Sequence, residues 1–296
     1  TGMMVQSILA NRVSFLFDFH GPSEIIDTAC SSTTVALHRA AQSLRDGSCE
    51  TAIVGGVNAL LDWQGFAILN QAGILSRDGQ VRLFDPDGTG YVRGEGVGAV
   101  LLKPLSKALA DRDPIHGLIR GSATSFDGKK YSLTAPSPQA QAEAVKAALR
   151  QSGLPPNRIS HIEAQGTGSA LGDPVELSAF KAAFRDQYRA WGLPDPSVPH
   201  CTIGYLKPQI GHLEAASGMA GLFKILLAMA EDRMPGTANL PARLPEAVQG
   251  SPFTLSDQCH VWDRPDSVEG RCAGLHSFGL GGMNAHVILE EFVGAC

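Results

Sequence analysis

Apolar residues follow two periods along the chain. The runs at 51–60 (TAIVGGVNAL), 96–105 (GVGAVLLKPL), 115–124 (IHGLIRGSAT), 159–165 (ISHIEAQ) and 200–206 (HCTIGYL) are short, apolar and rich in β-branched residues, and predict buried strands. SEIIDTA at 23–29 and PFTLS at 252–256 read the same way, and 272–292 (CAGLHSFGLGGMNAHVILEEF) reads as a closing hairpin. Between them the period lengthens. Residues 30–47 place Val35, Leu37, Ala40, Ala41 and Leu44 at helical spacing and stop at Gly47. Residues 137–153 form an amphipathic pattern ended by Gly153, DPVELSAFKAAF at 173–184 opens with proline in its first turn, and 211–234 predicts one long helix. Turn-rich stretches at 62–90 and 185–199 read as loop excursions. Strands alternating with helices predict an α/β fold with helices packed on a sheet.

Composition narrows this little. Of 296 residues, 44% are hydrophobic and 18% charged, an ordinary globular balance for one large domain or two smaller ones. A net charge of −5 gives no reason to expect nucleic acid or an anionic membrane as partner. The most apolar helical stretch, 218–230, is too short to span a bilayer and contains Lys224. Cys30, Cys49, Cys201, Cys259, Cys272 and Cys296 form no C-x-x-C pair, which points to reduced thiols in a cytoplasmic compartment and to no metal site. The chain begins at Thr1 with no start-like region, and is expected to be an internal portion of a longer polypeptide.

Four stretches could carry chemistry. In DTACSS, Cys30 sits where a strand turns into a helix. Unpaired N–H groups there favour an anion and would lower a thiol's pKa; alternatively Cys30 is a small core residue. Ser31 and Ser32 read as hydrogen bonders at the helix start. In GYLKPQIGHLEAASG, Lys207 and His212 lie five apart. A histidine beginning a helix would stay neutral and could donate to an oxyanion, or could be structural. The glycines of SFGLGGMNAH could expose N–H groups as an oxyanion hole or make a plain turn. In HIEAQGTGSALGDP a strand runs into a glycine-rich loop, with Gln165 at its end. Neither glycine loop has dinucleotide spacing, and no G-K-[ST] follows.

DTACSS, EAQGTGSALGDP, GYLKPQIGHLEAASG and SFGLGGMNAHVILEE, in that order, together resemble the β-ketoacyl synthase (ketosynthase) domains of modular polyketide synthases. GPSEIIDTACSS, VGGVN, FDPDGTGYVRGEGVGAVLLKPL and QAQAEAV extend the match over nearly the whole chain. The resemblance implies a thiolase-like fold in α-β-α-β-α layers and a homodimer. Residues 1–105 would be the remainder of the first half and 106–296 the second. The family's N-terminal strands are not in the chain, so sheet edges are expected to lie unpaired. It implies no bound cofactor. Acyl groups arrive on the phosphopantetheine arm of an acyl carrier protein, and neighbouring synthase domains are further partners. By position, Cys30 is the nucleophile, and its N–H and that of Leu280 form the oxyanion hole. His212 is the second catalytic histidine, Lys207 orders the site, and Thr167 and Ser169 hold the pantetheine arm.

Three departures from the family pattern stand at the candidate site. The family reads E-A-H-G-T-G-T where this chain has Gln165 and Ser169, and Met283 stands where threonine is usual. In the family both histidines stabilise the enolate formed as CO₂ leaves a malonyl-type extender. Glutamine can donate a neutral hydrogen bond but cannot carry a proton. Loss of one oxyanion donor costs about 3 kcal/mol, and loss of acid–base capacity adds a factor of about a hundred. The expectation is therefore a non-elongating ketosynthase, of the kind found in synthases without built-in acyltransferases. Rescue of elongation would need another group, such as His161 or His20. A silent dimeric docking scaffold is the alternative from another class. Trp63, Phe66, Phe126 and Met283 are candidates for a substrate tunnel or for the core.

Overall fold

In a computed structural model, residues 6–242, 245–265 and 269–294 are described; Cys296 lies outside them. In chain order the elements are α1 (Ile8–Leu16), α2 (Ser32–Arg45), β1 (Ala52–Asn58), α3 (Gln64–Gln71), β2 (Gly96–Leu102), α4 (Leu105–Asp111), β3 (Leu118–Phe126), α5 (Pro138–Ser152), β4 (Ile159–Glu163) and α6 (Gly172–Ala190). They continue with β5 (Cys201–Gly204), α7 (Lys207–Ile210), α8 (Ser217–Ala230), β6 (Arg233–Met234), β7 (Phe253–Thr254), β8 (His260–Val261), β9 (Cys272–Phe278) and β10 (Met283–Glu290).

Local chemistry fixes many ends. The Ser137 hydroxyl accepts from the Ala140 N–H at 3.3 Å, Pro138 opens α5, and Gly153 closes it at φ 68°. The central sheet has the order β3-β10-β9-β4-β5-β7. It is antiparallel across β3, β10 and β9 and parallel from β9 to β7. Each face buries its own core. Val145, Leu149, Phe180 and Phe184 of α5 and α6 cover one side with Ile162 and Ile288. Leu37 of α2 and Met219, Leu222 and Ile225 of α8 cover the other with Leu275 and Val287. Neighbouring residues on one strand thus face different helices, as the two-residue period requires.

Beyond α2 and α8 lies the antiparallel pair β1–β2, with Ile53 opposite Leu101 and Val57 opposite Val97. These four side chains are exposed, Val97 by 83%. Among the described residues the layer order is therefore helices, six-stranded sheet, helices and a two-stranded sheet whose outer face nothing covers.

Several expected elements differ. SEIIDTA is not a strand; only a bridge between Thr28 and Cys30 forms, because no described strand runs alongside. The stretch 62–90 contains helix α3, and α6 continues through Ala190 into the stretch expected as a loop. The long helix expected over 211–234 is instead a 3₁₀ turn at Glu214–Ala216 followed by α8. Glu214 breaks it by standing in the left-handed region at φ 46°.

Candidate active site

Cys30 follows a sharp turn. Ala29 is left-handed at φ 56°, an uncommon conformation for a residue with a Cβ, and α2 starts two residues after the cysteine. The two serines brace this turn. Ser31 Oγ donates to the Thr28 carbonyl at 2.9 Å. Ser32 Oγ donates to the Ala29 carbonyl at 2.6 Å and accepts from the Thr28 N–H at 2.9 Å. The β9–β10 loop packs against the same turn. Any Cβ at Gly279 would stand 2.1 Å from the Thr28 carbonyl oxygen, so only glycine allows that approach. The next N–H, from Leu280, acts on the Cys30 thiol and favours its thiolate.

The thiol differs from expectation. Burial pushes it up to about 11; Lys207 opposes this and Glu214 adds to it. Desolvation therefore outweighs the helix start, whose partial charge acts two residues away.

Gln165 stands two residues past the end of β4 and is buried, 1% exposed. Both ends of its amide are used. Nε2 donates to the Phe278 carbonyl at 3.1 Å and Oε1 accepts from Lys207 Nζ at 3.2 Å. Lys207 also donates to the Gln165 main-chain carbonyl. The loop after it hangs on two buried carboxylates that sequence reading missed. Glu176 accepts from the N–H groups of Gln165 (2.7 Å) and Gly166 (3.1 Å). Asp173 accepts from those of Phe84 and Thr167, each at 3.1 Å. Burial raises both acids, Asp173 to about 6, and lowers the Lys207 ammonium. Ser169 Oγ accepts from the Gly172 N–H at 3.2 Å, so it is partly committed within its own turn; Thr167 stands beside that turn and is only partly buried.

His212 does not begin a helix. It is extended, its N–H donating to the Val92 carbonyl at 2.7 Å and its own carbonyl accepting from the Gly94 N–H at 2.9 Å. The Glu214 N–H donates to Nδ1 at 3.0 Å. A ring nitrogen that accepts carries no proton, so the proton of the neutral ring is on Nε2. That Nε2 is buried and has no partner. Burial, then Lys207, holds the imidazolium well below its ordinary range, which preserves the expected neutral ring through a different cause.

The remaining histidines lie elsewhere. His20 is exposed beside Asp18. His161 packs on Trp262 and lies 3.6 Å from Glu163, which pairs with Lys224 at 2.6 Å. His276 lines a cavity of about 20 Å³ together with Gln165 and Lys207. Its ring, however, meets Phe180 of α6 and His286, whereas adjacent Ser277 reaches Thr34 of α2. By strand alternation the His276 ring is thus on the sheet face opposite α2 and its preceding Cys30. Among the tunnel candidates, Trp63 and Phe126 are exposed and Phe66 stacks on Arg93. Among the described residues no cluster of three or more potential ligands could hold a metal ion, and no helix is long and apolar enough to cross a membrane.

The model of the β-ketoacyl synthase N-terminal domain matches residues 1–108, and that of its C-terminal domain matches residues 116–241. The chain belongs to the β-ketoacyl synthase family. Polyketide synthase PksN of Bacillus subtilis is 42% identical over 292 residues, covering 96% of this chain and 5% of PksN. Polyketide synthase ThaG of Burkholderia thailandensis is 43% identical over 299 residues, covering 98% of the chain and 5% of ThaG. Among solved structures, the ketosynthase from module 6 of the B. subtilis bacillaene synthase superposes with a TM-score of 0.90. Identity is 38%, over 97% of this chain and 50% of that one. The oxazolomycin ketosynthase domain OzmH KS7 of Streptomyces albus gives 0.91 at 40% identity, over 98% and 51%. The chain thus spans about half of these solved ketosynthases and a small part of the curated synthases. Its fold is the thiolase-like α/β fold of ketosynthase domains, with a mixed central sheet.

Proposed function

We propose that this polyketide synthase ketosynthase accepts an acyl chain on Cys30 from an acyl carrier protein and passes it on without decarboxylative condensation. In this reading the Cys30 thiolate attacks the carrier thioester. A carbon–sulfur bond to Cys30 forms, the bond to the pantetheine sulfur breaks, and the thiol proton leaves on the pantetheine thiol; the second carrier reverses the step. The N–H groups of Cys30 and Leu280 would hold the oxyanion, and Thr167 and Ser169 the arm. Lys207 orders the site through its bonds to Gln165. His212 offers its unpartnered Nε2–H to a developing negative charge. Residues 1–105 are read as the remainder of the first thiolase half and 106–296 as the second, working as a homodimer beside the other synthase domains.

One observation carries the non-elongating part. Just past β4 stands an amide already engaged with Phe278 and Lys207, in place of an imidazole. An amide cannot titrate, so a second proton-carrying group for the enolate step is lacking there. The test measures Cys30 acylation by mass spectrometry alongside malonyl-carrier decarboxylation and condensation. Acylation without condensation is expected, and rapid condensation would reject the reading. A silent dimeric docking scaffold is the alternative from another class; burial raises the Cys30 thiol to about 11, which works against thiolate formation. No acylation at any pH would favour that alternative over acyl transfer.

A further inference from the structure

The family motifs leave Arg93 and Glu214 without a role, yet both are deeply engaged at the site. The guanidinium grips both carboxylate oxygens of Glu214, from Nε at 2.7 Å and from Nη2 at 2.9 Å. Such a bidentate pair is strong and directional. Arg93 is itself confined. Its guanidinium carbon lies 4.7 Å from the centre of the Phe66 ring, and a Cβ at Gly65 would stand 2.7 Å from Nη1. Both residues touch His212. The Arg93 backbone bridges to His212, and the Glu214 N–H supplies the bond to Nδ1 that fixes the tautomer. Glu214 is itself left-handed, a conformation that costs a residue with a Cβ about 1 kcal/mol or more. The grip on its side chain offsets this. Finally, Tyr91 packs edge-on to His212 at 4.5 Å, and the Glu214 carboxylate is one of the charges acting on both Tyr91 and Cys30.

We propose that Arg93 is a positioning residue, which holds the Glu214 backbone where it orients His212 and neutralises the Glu214 carboxylate that faces Cys30. The charged and titratable groups facing the thiol are Lys207, Glu214 and Tyr91, with Arg93 behind Glu214 and Asp62 near Arg93. Removing the cation should leave the carboxylate uncompensated and hinder thiolate formation. Removing the anion should favour it.

The acyl-transfer reading enters only one of the two readouts. The first is the rate of Cys30 alkylation by iodoacetamide at fixed pH in the full chain, which needs no carrier and no substrate. Glu214→Gln is expected to raise the rate about tenfold and Arg93→Ala to lower it about tenfold, each a shift of about one pKa unit. Arg93→Lys, which keeps the charge but not the fork, should stay within about threefold of the parent. A merely structural pair would move Arg93→Ala and Glu214→Gln in the same direction. That result, or no change in either, would overturn the proposal. If Arg93→Ala does not fold, Glu214→Gln and Arg93→Lys decide alone, since a fall in Glu214→Gln contradicts the charge argument. The second readout is acylation from an acyl-carrier thioester, where Arg93→Lys should lower kcat with KM unchanged. Unchanged kcat in an acylating protein would refute the orienting role, whereas absence of acylation in the parent refutes only the acyl-transfer reading.

Discussion

Replacing Gly279 by alanine tests whether the Leu280 N–H must be placed beside Cys30 to within an ångström. The new Cβ would lie 2.1 Å from the Thr28 carbonyl oxygen and 3.1 Å from Ser31 Oγ, against an ordinary contact of 3.4 Å or more. The two segments must therefore part by roughly 1.3 Å. Neither can yield easily, because Thr28 is tied to Ser31 and Ser32, and Gly279 donates to the Met283 carbonyl at 2.8 Å. Since Leu280 is the next residue, its N–H moves with the loop. A displacement of about 1 Å at a reacting centre costs about a hundredfold in rate. The backbone is not in the left-handed region at Gly279, so the substitution tests contact and not φ. The assay is the rate of acyl-Cys30 formation from an acyl carrier protein, followed by intact-protein mass spectrometry. A fall of about a hundredfold is expected with the melting temperature within a few degrees. Gly281→Ala is the control: a Cβ there meets nothing within 4 Å, and its rate should stay within about twofold. Gly279→Ala acylating within about threefold of the parent would refute the reasoning, as would Gly281→Ala falling equally far.

Gln165→His should create detectable condensation in a malonyl-carrier assay if the surrounding site is otherwise intact; no gain, with acylation unchanged, would show that more than the imidazole is missing. Glu176→Gln places an amide NH₂ against one of two N–H donors, at Gln165 or Gly166, and should destabilise the fold by about 1–3 kcal/mol in urea titration; a change under about 0.5 kcal/mol would count against the carboxylate as the loop's anchor. Asp173 has its pKa raised from 3.8 to about 6, so the folded state holds that proton more tightly and the stabilisation is present below pH 4 and lost as pH rises through 6. The buried histidines have the opposite trend, so the quantity to measure is the difference between parent and Asp173→Asn. It should shrink by up to about 3 kcal/mol between pH 4 and 8, and a difference that grows with pH would contradict the assignment.

The periodicities were enough for the larger elements. Helices α2 and α5, the hairpin β9–β10 and strands β1 to β5 lie where apolar spacing puts them, because each carries a continuous apolar stripe or an apolar alternation along its length. The motif order was enough for the family, and the single letter at 165 was enough to show that an imidazole is absent. Burial and pairing were beyond it. The thiol at Cys30 is raised because tertiary packing strips its water, a larger effect than the helix start visible in DTACSS. His212 is held by Glu214 and Val92 and not by a helix, since a left-handed residue two positions on interrupts the periodic run. Asp173, Glu176 and Arg93 carry no signal of their own, because what they do depends on backbone N–H groups and a carboxylate brought to them by folding. Sequence decides which groups exist and which face of an element they occupy; only the assembled structure decides how much water and which opposite charge each one keeps, and those two quantities set its protonation and its chemistry.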